Sequence, residues 1–172
     1  MAPGYHPGEL SVQERAGVRE MAARIGRSIG AAIPPVAWNF LRSQPLVVVG
    51  SVDARQRVWA SLLTGAPGFL RVVDEHTVRI NARPSAGDPL GDNLAAHSQV
   101  GLIAIEFATR RRMRLNGRAE VGPDGAIHLQ VQQVYSNCPK YIQARRWRGR
   151  LPESDSTPVV QRQSTLTRDQ ER

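Results

Sequence analysis

Small side chains, a hydroxyl and freely turning backbone come together in Trp59-Ala60-Ser61-Leu62 and the following Gly65-Ala66-Pro67-Gly68. On a strand, such residues let a flat ligand come close to the main chain. Further on, Ser85, the backbone amides near Gly87 and Asn93 surround the start of a short expected helix, where they can donate to a phosphate at the positive end of the helix. The plainer alternative is a connecting loop whose Ser and Asp residues only cap that helix. Arg112, Arg114 and Asn116 alternate with Met113, Leu115 and Gly117, so a strand through them has one basic face, either an anion site or a solvated surface. In Tyr135-Ser136-Asn137-Cys138-Pro139-Lys140-Tyr141, Asn137 or Cys138 can cap a helix with Pro139 in its first turn. Lys140 would then meet a phosphate or a substrate carboxylate at the helix start, unless it is a plain surface lysine. Cys138 has no obvious His partner and reads as a buried structural thiol, while His76 reads as a solvated turn residue. No strong side-chain acid or base stands out.

The elements that must position these groups are mostly strands. Residues 46–52, 58–63, 69–73 and 77–81 are short apolar or β-branched runs divided by turn formers, the pattern of an antiparallel meander. The unbroken apolar run at residues 46–49 predicts a strand buried on both faces. A short helical turn is expected at residues 36–41 and a helix at residues 90–97. Strands follow at residues 99–106 and 112–121, and after the turn Gly122-Pro123-Asp124-Gly125 a last strand carries Ile127, Leu129 and Val131. Six or seven strands suffice to close a small barrel. The fold class is therefore mainly β (α+β): a six- to seven-stranded antiparallel barrel with short peripheral helices.

Outside the barrel, residues 1–10 read as a flexible leader and residues 11–33 as an amphipathic helix. Ser11 and Glu14 have capping-box spacing, and Val18, Met21, Ala22, Ile25, Ile29 and Ala32 form one apolar stripe. That stripe is expected to pack on the chain's own barrel, the alternative being a partner-binding helix. Pro34 and Pro35 end it. From residue 151 to 172 the composition turns polar and linker-like. Even so, Thr167 and Gln170 repeat the capping spacing, and the final residues echo Leu10 to Arg15 with one insertion. This suggests the first half of a longer, internally duplicated protein.

Composition narrows the function classes. A chain of 172 residues with 41% hydrophobic content can bury one useful core, and no apolar run approaches the roughly 20 residues needed to cross a bilayer. The N-terminus lacks a basic, then apolar, export signal, so a cytoplasmic address without membrane partners is expected. Cys138 is the sole cysteine, which excludes an intrachain disulfide and cysteine-cluster metal sites. The formal charge of +8 invites a nucleic-acid reading. However, the arginines are scattered, Lys140 is the only lysine, and the concentrations at residues 110–114, with no aromatic, and 145–150, with Trp147 alone, fall short of the repeated aromatic interleaving of a stacking platform. Abundant Arg, Ala and Gly equally reflect genomic base composition. A small anionic ligand needs fewer charges than a duplex.

Three stretches in this order carry a family resemblance: Ala60-Ser61 with Gly65, Pro67-Gly68-Phe69; Arg112-Met113-Arg114-Leu115-Asn116-Gly117-Arg118-Ala119; and Asn137-Cys138-Pro139-Lys140-Tyr141-Ile142. Together, over residues 38–147, the chain resembles the pyridoxamine 5'-phosphate oxidase-like flavin-binding split barrels. The resemblance implies a split-barrel domain over residues 36–150 and a homodimer with FMN in the groove between subunits. In some actinobacterial branches the deazaflavin F420 takes that place. Residues 59–62 would then face the cofactor, with Ser85, Asn93, Arg114, Asn116 and Lys140 as polar contacts. The family's usual Ser-Arg-Lys phosphate clamp is missing, so Arg79 or Arg83 would stand in. The Arg-x-His signature of the oxidase that gives the family its name is also absent. The implied function is an FMN-dependent oxidoreductase acting on a small molecule, with the flavin supplying the hydride chemistry. The alternative is a non-catalytic module holding flavin, F420 or haem.

Overall fold

The computed structural model describes residues 5–136 and 141–146, together with Thr165 and Arg168 in the tail. Seven strands form one antiparallel sheet: β1 (Leu46–Val52), β2 (Val58–Thr64), β3 (Leu70–Asp74), β4 (Thr77–Ile80), β5 (Gln99–Glu106), β6 (Arg111–Val121) and β7 (Ile127–Ser136). This is the mainly β, split-barrel-like α+β architecture expected. The order across the sheet is β2-β1-β5-β6-β7-β4-β3. The first four strands are therefore not a continuous meander. They are two hairpins at opposite ends of the sheet, joined by residues 65–69, and β5 to β7 fill the space between. Alternating hydrophobicity fixes which face of a strand is buried but leaves its neighbour open, which is why the sequence pattern did not separate these arrangements.

Local chemistry explains the β1–β2 hairpin. Asp53 Oδ1 accepts the backbone N–H of Arg55 at 2.8 Å and of Arg57 at 2.9 Å, and Gln56 takes a positive φ of 63°. Its Oδ2 accepts Arg57 Nε at 2.7 Å and Trp59 Nε1 at 3.1 Å. Desolvation would raise the Asp53 carboxyl, but these four donors outweigh it and hold the group well below the usual carboxylate range. In β6, Gly117 sits at a bulge opposite β7, where an added Cβ would lie 2.0 Å from the carbonyl oxygen of Gln130. Only glycine fits there.

The core lies on the inner face of the curled sheet, with Val47, Leu63, Leu70, Val78, Leu102 and Leu115 almost wholly enclosed. α3 (Trp38–Arg42) closes it with Leu41, and α4 (Leu90–Ala96) with Leu90 and Leu94. β1 differs from its expectation. Val47, Val49 and Ser51 are buried, whereas Leu46, Val48, Gly50 and Val52 on the other face are only half-buried. The outer side of the sheet thus remains open at its apolar end.

The N-terminal segment is two helices rather than one, α1 (Pro7–Arg15) and α2 (Arg19–Gly26). Gly17, with φ of +66°, breaks the helix between them. The cap also differs: His6 Nδ1 accepts Gly8 N–H at 3.1 Å and Glu9 Oε2 accepts His6 N–H at 2.7 Å, so helix begins within the stretch expected as leader. Residues 1–4 lie outside the described residues. Neither helix buries a residue, and Met21 and Ile25 stay 63% and 58% exposed, so the stripe does not pack on its own barrel. The segment reaches the barrel at Gly30, which pairs with Val134, at Ala31, whose carbonyl oxygen lies 3.1 Å from His76 Nδ1, and at Ile33, whose N–H donates to Glu75 O at 2.7 Å.

The helix expected after Asn137 is not seen where the chain is described. Tyr141 has φ of +74°, residues 142–146 are irregular, and Arg145 N–H donates to Phe107 O at 3.2 Å. Cys138 and Lys140 lie outside the described residues, as does the tail capping pair Thr167 and Gln170.

Candidate functional site

Pairing register places two parallel rows of side chains on the outer face. One runs Ala60–Gly50–Gly101–Asn116–Gln133 across β2, β1, β5, β6 and β7. The adjacent row runs Leu62–Val48–Ile103–Arg114–Tyr135 across the same strands. Ala60, Gly50 and Gly101 carry nothing larger than a methyl group, so the first row is a trough about 10 Å wide, two strand spacings. It ends at a polar pair, Asn116 Nδ2 donating to Gln133 Oε1 at 3.1 Å. A Cβ on Gly50 would meet only backbone oxygens at 3.5 Å and beyond, whereas one on Gly101 would lie 3.2 Å from Asn116 Oδ1, so the Asn116 amide borders the floor there. The second row supplies an apolar wall, with Leu62 52% exposed, and the exposed guanidinium of Arg114. Arg114 has no carboxylate within ion-pair range among the described residues.

β2 also ends the sheet, so one row of its backbone N–H and C=O groups lies outside the ladder. A planar heterocycle with donors and acceptors on its rim can use such an edge while its face rests on small residues. This arrangement provides shape, backbone hydrogen bonding and positive charge. It contains no acid–base pair, and among the described residues no group of three or more His, Cys, Asp or Glu could hold a metal ion.

The residues expected at the site divide into sets. Ala60, Leu62, Arg114 and Asn116 share the outer face. Trp59 and Ser61 belong to the opposite side of β2: the Trp59 indole N–H is held by Asp53, and Ser61, 1% exposed, donates from Oγ to Asp88 Oδ1 at 2.7 Å. Asn93, 2% exposed, donates from Nδ2 to Ser51 Oγ at 2.9 Å and so pins α4 to β1. Ser85 and Arg83 are exposed in the loop before α4. Arg79 is engaged by Asn81 Oδ1 at 2.7 Å and Asp124 Oδ2 at 2.5 Å, near the β3 end of the sheet. Gly50, Gly101, Gln133 and Tyr135 were missed by reading single stretches. They become visible only when strand alternation is combined with the pairing of β1 with β5 and of β6 with β7.

Residues 33–153, well over half the chain, match the sequence model of the pyridoxamine 5'-phosphate oxidase family. The chain belongs to that family, whose members bind flavin. Among solved structures it is similar to HupZ of Group A Streptococcus, at 14% identity and a TM-score of 0.50, covering 60% of this chain and 94% of HupZ. It is also similar to HutZ, the haem storage protein of Vibrio cholerae, at 16% identity and a TM-score of 0.42, covering 60% of this chain and 94% of HutZ. An F420 reductase matches at 13% identity and a TM-score of 0.35, covering 61% of this chain and 97% of that protein. At these identities the likeness concerns the fold. No curated protein matches the chain in sequence. No helix among the described residues is long and apolar enough to cross a membrane.

Proposed function

We propose that this chain holds FMN against the Ala60–Gly50–Gly101 trough and the open edge of β2, and serves as a flavin-dependent oxidoreductase for a small molecule. The observation that carries the reading is the floor of Ala60, Gly50 and Gly101, carrying nothing larger than a methyl group and running in from the edge strand β2, in a family that binds flavin. Bound there, the flavin would supply the hydride chemistry. The chain's own part is to seat the ring on Ala60, Gly50 and Gly101, offer hydrogen bonds from the β2 edge and from Asn116 and Gln133, and attract the phosphate with Arg114. Ser85 and Lys140 are further phosphate contacts under this reading, whereas the Arg83 guanidinium lies against Gly125 in the β6–β7 turn, away from Arg114.

The same face supports a homodimer. Val58 and Leu62 are 80% and 52% exposed beside half-buried Val48, Ile103 and Ile105, an apolar surface next to an unpaired edge. A second copy covering it would build the other wall of the cleft and exclude water from the ring. An absorption spectrum of the purified protein, before and after incubation with FMN, tests the proposal. Oxidised-flavin bands that stay with the protein through gel filtration are expected. A retained haem or deazaflavin spectrum, or no retention of added FMN, would overturn the choice of cofactor.

A further inference from the structure

A second concavity lies between α3 and β3, lined by Trp38, Asn39, Arg42, Gly68, Arg71 and Val72, with a volume of about 380 Å³. That falls at the lower end of the range for small-molecule sites, roughly 300–1,000 Å³. Its two cations, Arg42 and Arg71, are exposed, and neither has a carboxylate within ion-pair range among the described residues. Arg71 also stands directly across the β3–β4 ladder from Arg79. Like charges in that relation repel. Arg79 is neutralised by Asp124, whereas Arg71 is not.

The remaining lining is made for a ring. The Trp38 side chain is anchored by its indole N–H, which donates to Ile33 O at 3.3 Å, and is still 36% exposed. Beside Arg42 the wall is backbone: Gly68 has φ of +96°, a Cβ built on it would meet nothing within 4 Å, and its N–H is already given to Arg42 O at 2.7 Å. That hydrogen bond also fixes the distance between the β2–β3 connection and α3, so the concavity is braced on both sides. Its residues come from α3, β3 and the connection, and none belongs to the two rows of the flavin proposal.

We infer that this pocket binds a small aromatic or heteroaromatic anion, its phosphate or carboxylate taken by Arg42 and Arg71 and its ring laid against Trp38. Paired guanidinium donors suit both oxyanions, and an exposed indole offers an aromatic face for stacking. The inference does not depend on which cofactor the chain carries.

Calorimetric titration of the full chain with phenyl phosphate, benzoate and inorganic phosphate tests it. Saturable binding of at least one aromatic anion is expected, weakened ~10-fold or more in the double variant Arg42→Gln/Arg71→Gln by loss of charge-assisted hydrogen bonds. Trp38→Phe keeps an aromatic wall and should retain affinity. Trp38→Ala should lose affinity for the ring-bearing probes while inorganic phosphate is unaffected. Both arginines are exposed, so the double variant should melt like the parent. Tighter binding of phenyl phosphate than of benzoate would assign the natural ligand to phosphate esters, and the reverse order to carboxylates. No saturable binding of any probe, or binding indifferent to the double substitution, would overturn the inference.

Discussion

Ser61 Oγ donates to Asp88 Oδ1 at 2.7 Å, and the same carboxylate oxygen accepts the backbone N–H of Leu90 at 2.9 Å. One acidic side chain therefore joins the edge strand β2 to the first turn of α4. Replacing Ser61 with alanine removes this tie at a site 1% exposed, and a cost of about 1 kcal/mol in urea unfolding is expected. Asp88→Ala should cost more, since it also frees the Leu90 N–H. Equal stability of all three proteins would refute the linking role.

The Asp53 carboxyl titrates below its usual range, because desolvation, which raises it, is outweighed by donors from Arg57, Trp59 and Arg55. A depressed folded-state pKa contributes stability above the unfolded value near 3.9, and that stability is lost as pH falls toward the folded value. Chemical denaturation should therefore show stability declining below about pH 5. Asp53→Asn should be less stable at pH 7 and should flatten that decline. A variant with the parent's acid limb would show that Asp53 is not its source.

Gly117 has backbone where a side chain would go, with Gln130 O 2.0 Å from an ideal Cβ. Gly117→Ala must displace β7 from β6, and a loss of roughly 1–3 kcal/mol is expected, the range for overpacking. A melting curve superimposable on the parent's would contradict the bulge geometry.

Residues of α1 and α2 contribute nothing to the buried core. Deleting residues 1–28 keeps Gly30, Ala31 and Ile33, the points of attachment. The truncated barrel should melt within ~0.5 kcal/mol of the parent, as surface changes do. A large destabilisation would mean the helices pack on the barrel in solution.

How much of this was legible in the sequence varies by level. Strand positions came through well: residues 46–52 and 99–106 were expected and found as β1 and β5, because β-branched runs between turn formers leave few alternatives. Partner choice did not, since Val47 and Leu63 bury the same faces whether β2 neighbours β3 or ends the sheet. Gly17 carried the break between α1 and α2, but the capping spacing of Ser11 and Glu14 before it and the apolar stripe from Val18 onward argued for one helix. At the site, Ala60 and Ser61 were read together as small residues facing a ligand. Strand alternation separates them: Ala60 faces outward, whereas Ser61 is buried against Asp88. A bulky residue at Ser61 would disturb the core, so the informative position is its neighbour.

The central claim is that flavin rests on the floor formed by Ala60, Gly50 and Gly101, and FMN titration of the parent and of Ala60→Trp, followed by quenching of flavin fluorescence, tests it most directly. Ala60 is exposed on an edge strand, so the variant should fold and melt cooperatively. Its indole would fill the trough, and FMN affinity should fall at least ~100-fold, about 2.7 kcal/mol. Unchanged FMN affinity in a folded Ala60→Trp protein would contradict the claim.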